Sequence, residues 1–166
     1  MSLIVETGAV ISNANTYISL DYADTYCEDM GYTAWASCTE TEREAAILRA
    51  MRYIEGLSWK GIKYDYDDAL KWPRSGVYDE DGYAIDYDEI PTAVKKALAQ
   101  AAYEESQSSG VLLPTYQTGI KREKIDVIEI EYFGNSTVSA PGKVFDAILS
   151  YVKGLIEDGS NNVLRT

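Results

Sequence analysis

Histidine is absent from the 166 residues, and that absence decides most of the chemistry open to the chain. Without an imidazole there is no histidine general base, no Ser–His or Cys–His nucleophile pair and no histidine-ligated metal. Carboxylates, hydroxyls and two cysteines are left. Cys27 and Cys38 read as reduced thiols, one on a helix and one in a turn. A disulfide would need an oxidising compartment, and two thiolates alone do not complete a zinc site. Among the acids, Asp79, Asp81, Gly82 and Asp88 fall at the third, fifth, sixth and twelfth positions of an EF-hand calcium loop. The first position is then Val77, whose side chain cannot coordinate a hard cation, and no entering helix precedes it. The stretch reads as a solvated acidic turn. Asp65, Asp67 and Asp68 alternate with tyrosines in the manner of an exposed edge. Phosphate loops and nucleophile elbows are missing: the sequence contains no G-x-x-x-x-G-K, no G-x-G-x-x-G after a strand and no G-x-S-x-G. The expectation is a protein that is not an enzyme and holds neither metal nor cofactor.

Charge narrows the partners. The formal net charge is −12, from 27 acidic and 15 basic residues. It is unevenly spread: residues 1–42 hold seven acids and no base, and residues 64–90 hold nine acids and two bases. Basic islands lie in residues 43–63 and at Lys121-Arg122-Lys124. A single-strand binder combines a basic groove with aromatic stacking platforms, but so acidic a chain must overcome repulsion from a polyanion before stacking helps. Aromatics are plentiful, with 14 tyrosines against two phenylalanines and three tryptophans. That bias suits either a tyrosine-rich core and surface or extensive interfaces. No apolar run approaches the ~18 residues of a membrane span, and the start lacks the basic flank and apolar length of a signal peptide. A soluble, intracellular type of chain is expected.

The elements that must position these groups are mainly helical. Ser19 caps a first helix in which Leu20, Ala23, Cys27 and Met30 recur at helical spacing, and Gly31 stops it. Thr39-Glu40-Thr41-Glu42 forms a capping box, and Ile47, Ala50, Met51 and Ile54 make one face of the helix it opens, which ends at Gly56. From Ser58 to Glu89 the periodicity fails in an irregular Trp- and Tyr-rich loop, with one helical turn expected at Asp68–Lys71. Pro91 takes the first position of a third helix, whose Val94, Ala97, Leu98, Ala101 and Ala102 give a narrow alanine-rich face for close packing. Ile128, Ile130 and Tyr132 alternate with Glu129 and Glu131 as in a half-buried strand, with Ile120–Ile125 as its hairpin partner. A last helix from about Lys143 places Phe145, Ile148, Leu149, Val152, Leu155 and Ile156 on one side. The fold class is therefore mainly α: a bundle of about four helices with a small β-hairpin. Residues 1–157 form one domain, and 158–166 form a flexible polar tail.

Three segments together resemble a family of tailed bacteriophages and prophages. They are Leu3-Ile4-Val5-Glu6 with Asn13–Leu20, then Trp72-Pro73-Arg74-Ser75-Gly76-Val77-Tyr78-Asp79 with Gly82, and Ile90-Pro91-Thr92-Ala93-Val94-Lys95-Lys96-Ala97 followed by Lys121-Arg122-Glu123-Lys124. In order and spacing they look like head–tail connector, or head-completion, adaptors that are often labelled DnaT-like single-stranded DNA-binding proteins. The resemblance implies a structural virion protein at the head–tail junction, assembled in the host cytoplasm. Its partners would be the portal protein, a tail or tail-completion protein, and further copies of itself in a ring matching the portal, twelvefold in the family's pattern. DNA would pass through without tight binding, and no membrane is involved. Candidate interface residues are Trp72, Arg74 and Tyr78, with Val163, Leu164 and Arg165 in a tail that orders against a neighbouring ring. The label implies the alternative, a replication accessory that grips single strands, for which Lys121, Arg122 and Lys124 are the candidate contacts. An acidic conduit that does not hold its cargo favours the adaptor.

Overall fold

Two of the helices begin where the sequence supplies a side-chain acceptor for their first N–H groups. In the computed structural model, which describes residues 2–112, 123–125, 128–130 and 141–157, with side chains for 2–112 and 146–157, helix α1 runs Leu20–Asp29. The Ser19 hydroxyl accepts from the Tyr22 N–H at its start. A single turn, α2, follows at Thr33–Ala36. Helix α3 spans Glu40–Gly56 and carries the expected capping box: the Thr39 hydroxyl accepts from Glu42 N–H, and the Glu42 carboxylate accepts from Thr39 N–H at 2.8 Å. Helix α4 is Thr92–Gln107 and α5 is Pro141–Val152. Strands β1 (Ile62–Lys63) and β2 (Arg74–Ser75) pair antiparallel, as do β3 (Glu123–Ile125) and β4 (Ile128–Ile130), in which Glu123 faces Ile130 and Ile125 faces Ile128. The chain is mainly α with a small antiparallel hairpin, as the periodicity predicts, and has five helices among the described residues.

Helix α4 is the hub, packing on α3, α5 and α1. Val94, Ala97, Leu98, Ala101 and Ala102 are wholly buried, and so is Ala99, with Gln100 nearly so. The apolar face is thus wider than the narrow stripe expected, because partners lie on more than one side. Its alanines let α3 approach closely through Ala46, Ile47, Ala50 and Ile54. Ile148 and Val152 close the core from α5. Each large aliphatic side chain buried here contributes about 1.5–3 kcal/mol.

Four local expectations are corrected. Met30 is 46 % exposed, because α1 ends at Asp29 and Met30 caps it outside the buried face. Asp68–Lys71 makes bends in place of a helical turn, since the Asp68 carboxylate accepts from Leu70 N–H and Lys71 N–H goes to Glu55. Pro91 is the N-cap of α4 in extended conformation, one residue outside the helix. The stretch 58–89, expected to be irregular apart from that turn, contains the β1–β2 pair and a Tyr78–Ala84 bridge. After α5 the chain returns to this stretch: Lys60 N–H donates to Leu155 and Glu157 N–H to Ser58, at 2.9 and 2.8 Å.

Candidate interaction surface

The acidic, aromatic stretch between α3 and α4 is held by what it buries. Trp59, Leu70, Trp72, Val77 and Ile90 all face the core, and the two indoles meet edge to face with ring centres 5.6 Å apart. The Tyr17 hydroxyl donates to the Glu55 carboxylate and accepts from Trp72 N–H, tying the loop to α3. Burial drives the Tyr17 phenol well above its usual range, and the neighbouring Glu55 adds to this, so Tyr17 is a fixed donor. Arg74 acts as a clasp. Its guanidinium donates to the backbone carbonyls of Lys60 (2.8 Å), Gly61 (2.7 Å) and Lys71 (3.2 Å), so it is spent inside the chain. Gly61 has φ +72°, and a Cβ there would lie 2.4 Å from the Ser75 carbonyl oxygen. Only glycine fits this crossing.

What the stretch leaves outside is tyrosine and carboxylate. Tyr66 is 95 % exposed, Tyr83 73 %, Ile62 70 % and Tyr78 58 %, and the rings of Tyr64 and Tyr87 stack at 4.7 Å across the loop. Asp79 shapes a turn: one carboxylate oxygen accepts from Asp81 N–H at 3.0 Å and Tyr83 N–H at 2.8 Å. Asp65 accepts likewise from Asp67 N–H. These aspartates spend acceptors on their own backbone. Among the described residues, no group of three or more cysteines or acids is placed to hold a metal. Beside the Asp79–Asp81 turn lies a cleft of about 290 Å³, walled by Ile85, Tyr151 and Leu155.

Elsewhere the buried acids are structural. Glu6, wholly buried, accepts from the N–H groups of Gly8 (2.8 Å), Val10 (3.1 Å) and Ile11 (2.6 Å), wrapping the loop around its carboxylate. Buried Glu105 accepts from Gly110, Leu112 and the Arg49 guanidinium. A second cleft, about 330 Å³, is lined by Cys27, Tyr32, Trp35 and an Asp24–Arg43 pair at 2.7 Å. There the Trp35 indole also donates to Asp24, which leaves that carboxylate engaged. Burial pushes the Cys27 thiol up to about 12, with Asp24 adding to it, so it stays protonated and inert.

Of the residues proposed from the sequence, Tyr78 stands on the surface. Trp72 is wholly buried and Arg74 is the clasp just described, so both build the loop and neither is presented to a partner in this conformation. Lys121, Arg122, Val163, Leu164 and Arg165 lie outside the described residues, and of Lys124 only its backbone position in β3 is described. Tyr64, Tyr66, Tyr83 and Tyr87 were missed as individuals. The alternation with aspartate at 64–68 signalled an exposed edge for Tyr64 and Tyr66, although Asp68, read with that edge, is buried at 5 % exposure; Tyr83, between Gly82 and Ala84, carried no such signal.

Fold and surface together define a small, mainly helical domain that carries an exposed acidic and tyrosine-rich loop layer. A family model described as "Putative DnaT-like ssDNA binding protein" matches residues 1–166, and the chain belongs to that family. No curated protein and no solved structure matches it.

Proposed function

We propose that this chain is a non-catalytic binding subunit, and two readings of its partner rest on different observations. The family description supports single-stranded DNA, and the comparisons lend this reading more support than they lend any other. Exposed tyrosine rings add to it, since bases stack on such faces. The geometry of the described residues supports the other reading best, and that is our conclusion: a structural adaptor of a phage head–tail junction, bound to protein neighbours through its loop layer. The observation that carries it is the coincidence of the exposed tyrosines with the most acidic part of the chain. Residues 64–90 hold nine acids against two bases. Of those two bases, Arg74 is committed to backbone carbonyls and Lys71 donates to the Leu57 carbonyl. A polyanion approaching this layer meets like charge, whereas a basic protein surface does not.

In this reading the portal and a tail-completion protein are the neighbours, copies of the chain complete a ring, and DNA passes without tight binding. No helix among the described residues is long and apolar enough to cross a membrane. Disrupting the gene in a phage or prophage that carries it separates the readings. The adaptor reading expects normal DNA synthesis and filled heads without tails. Loss of DNA synthesis with no tailless heads would overturn it in favour of the replication accessory.

A further inference from the structure

We propose that the loop layer Ile62–Asp88 is a docking surface for a basic, arginine-bearing protein face; this deepens the adaptor reading and rests on it. Three observations converge. First, the layer displays much aromatic and apolar surface to water: Tyr66, Tyr78 and Tyr83 each expose more than half their area, and Ile62 is 70 % exposed. Exposed apolar and aromatic surface gathered on one loop segment, with Tyr64 and Tyr87 stacked across it, marks an interaction site, and tyrosine is a residue that interface cores favour. Second, the layer is stiff beneath its surface. The Arg74 clasp, the Tyr17–Glu55 bridge and the buried Trp59–Trp72 pair hold its backbone, so little ordering entropy is lost on binding. Third, its charge selects the partner. Glu80, Asp81, Asp86 and Asp88 are exposed around the tyrosines, with no hydrogen-bond or ion-pair partner for their carboxylates among the described residues. Arginine answers both features at once. Its guanidinium pairs with carboxylates through a planar fork and stacks on aromatic faces, which a lysine ammonium does less well.

A second copy of this chain is the weaker candidate for the occupant. Helix α3 carries four acids against three arginines, of which Arg43 is paired with Asp24 and Arg49 with Glu105 and only Arg52 is exposed outside such a pair, and the chain as a whole repels itself at −12. A differently charged protein is the better fit.

The test titrates the full chain with three probes of equal length: a peptide alternating arginine with glycine and serine, the same peptide with lysine for arginine, and single-stranded oligo-dT. Tyrosine fluorescence and amide chemical shifts report the binding and its place. The arginine peptide is expected to bind, more tightly than the lysine peptide, with shifts confined to the 62–88 loop. Two variants follow, Y66S/Y78S/Y83S and E80Q/D81N/D86N, all at exposed positions and checked for native melting. Each is expected to weaken the arginine peptide about tenfold, the equivalent of about 1.4 kcal/mol. Equal binding by wild type and both variants, or shifts elsewhere, would overturn the docking surface. Preferential binding of oligo-dT at the same tyrosines would give the layer to nucleic acid instead. Failure of the adaptor reading shows separately: variants that lose the peptide yet complete heads at normal yield would leave the surface standing and remove its role at the junction.

Discussion

Asp68 is the side chain with the clearest unmet demand. It is 5 % exposed, one carboxylate oxygen accepts from Leu70 N–H, and the other has no partner. Burial raises its pKa, the Leu70 hydrogen bond and Lys63 oppose the rise, and the nearby Glu6 charge adds to it. A carboxyl that holds its proton more tightly folded than unfolded stabilises below the ordinary carboxylate range, and that contribution is lost as pH climbs through the raised value. At pH 7 the ionised form is therefore a cost. Asp68→Asn keeps the acceptor for Leu70 and removes the charge. The variant should melt above wild type at pH 7, with the margin shrinking as pH falls through the carboxylate range. A variant that melts lower at every pH would show that attraction to Lys63 outweighs desolvation. Most other buried acids need no such correction, because Glu6 and Glu105 each have three hydrogen-bond donors.

Among the elements, those legible in the sequence were the ones whose signals are local. The capping box at Thr39, the serine cap at Ser19 and the 3.6-residue spacing of Ile47, Ala50, Met51 and Ile54 all require only neighbours along the chain, and each is found in the fold. Thr39→Ala removes the cap of α3, which should cost about 1 kcal/mol. For a chain of this size that corresponds to a fall of about 2–4 °C in melting temperature, readable by calorimetry. An unchanged transition would mean that packing against α4 alone fixes the helix start. What the sequence concealed depends on distant partners. The β1–β2 pair is two residues per strand, too short for any period to show, and it exists because Arg74 reaches back to the carbonyls of Lys60 and Gly61. Trp72, an interface candidate from the sequence, is buried for the same reason: a tryptophan beside a proline serves equally as core plug or surface anchor until its neighbours are placed. Pairing with Trp59 makes it core.

At the scale of the whole molecule, composition carried more than any motif. The surplus of tyrosine over phenylalanine left open a tyrosine-rich core and surface or extensive interfaces, and the concentration of acids in residues 64–90 gave the sign of the surface found there. Neither could say which tyrosines are exposed, because that depends on which side of the loop the tryptophans and Val77 pin down. The central claim is that this surface meets protein and lets nucleic acid pass. It is tested most directly by fluorescence anisotropy of a labelled single-stranded oligonucleotide titrated with the full chain at about 0.15 M salt, near the ionic strength at which the screening length is ~8 Å. Negligible binding is predicted, since −12 charges and the acidic loop layer oppose the phosphates before any base can stack. Submicromolar binding that weakens steeply with added salt would contradict the account and support the single-stranded DNA reading that the family description carries.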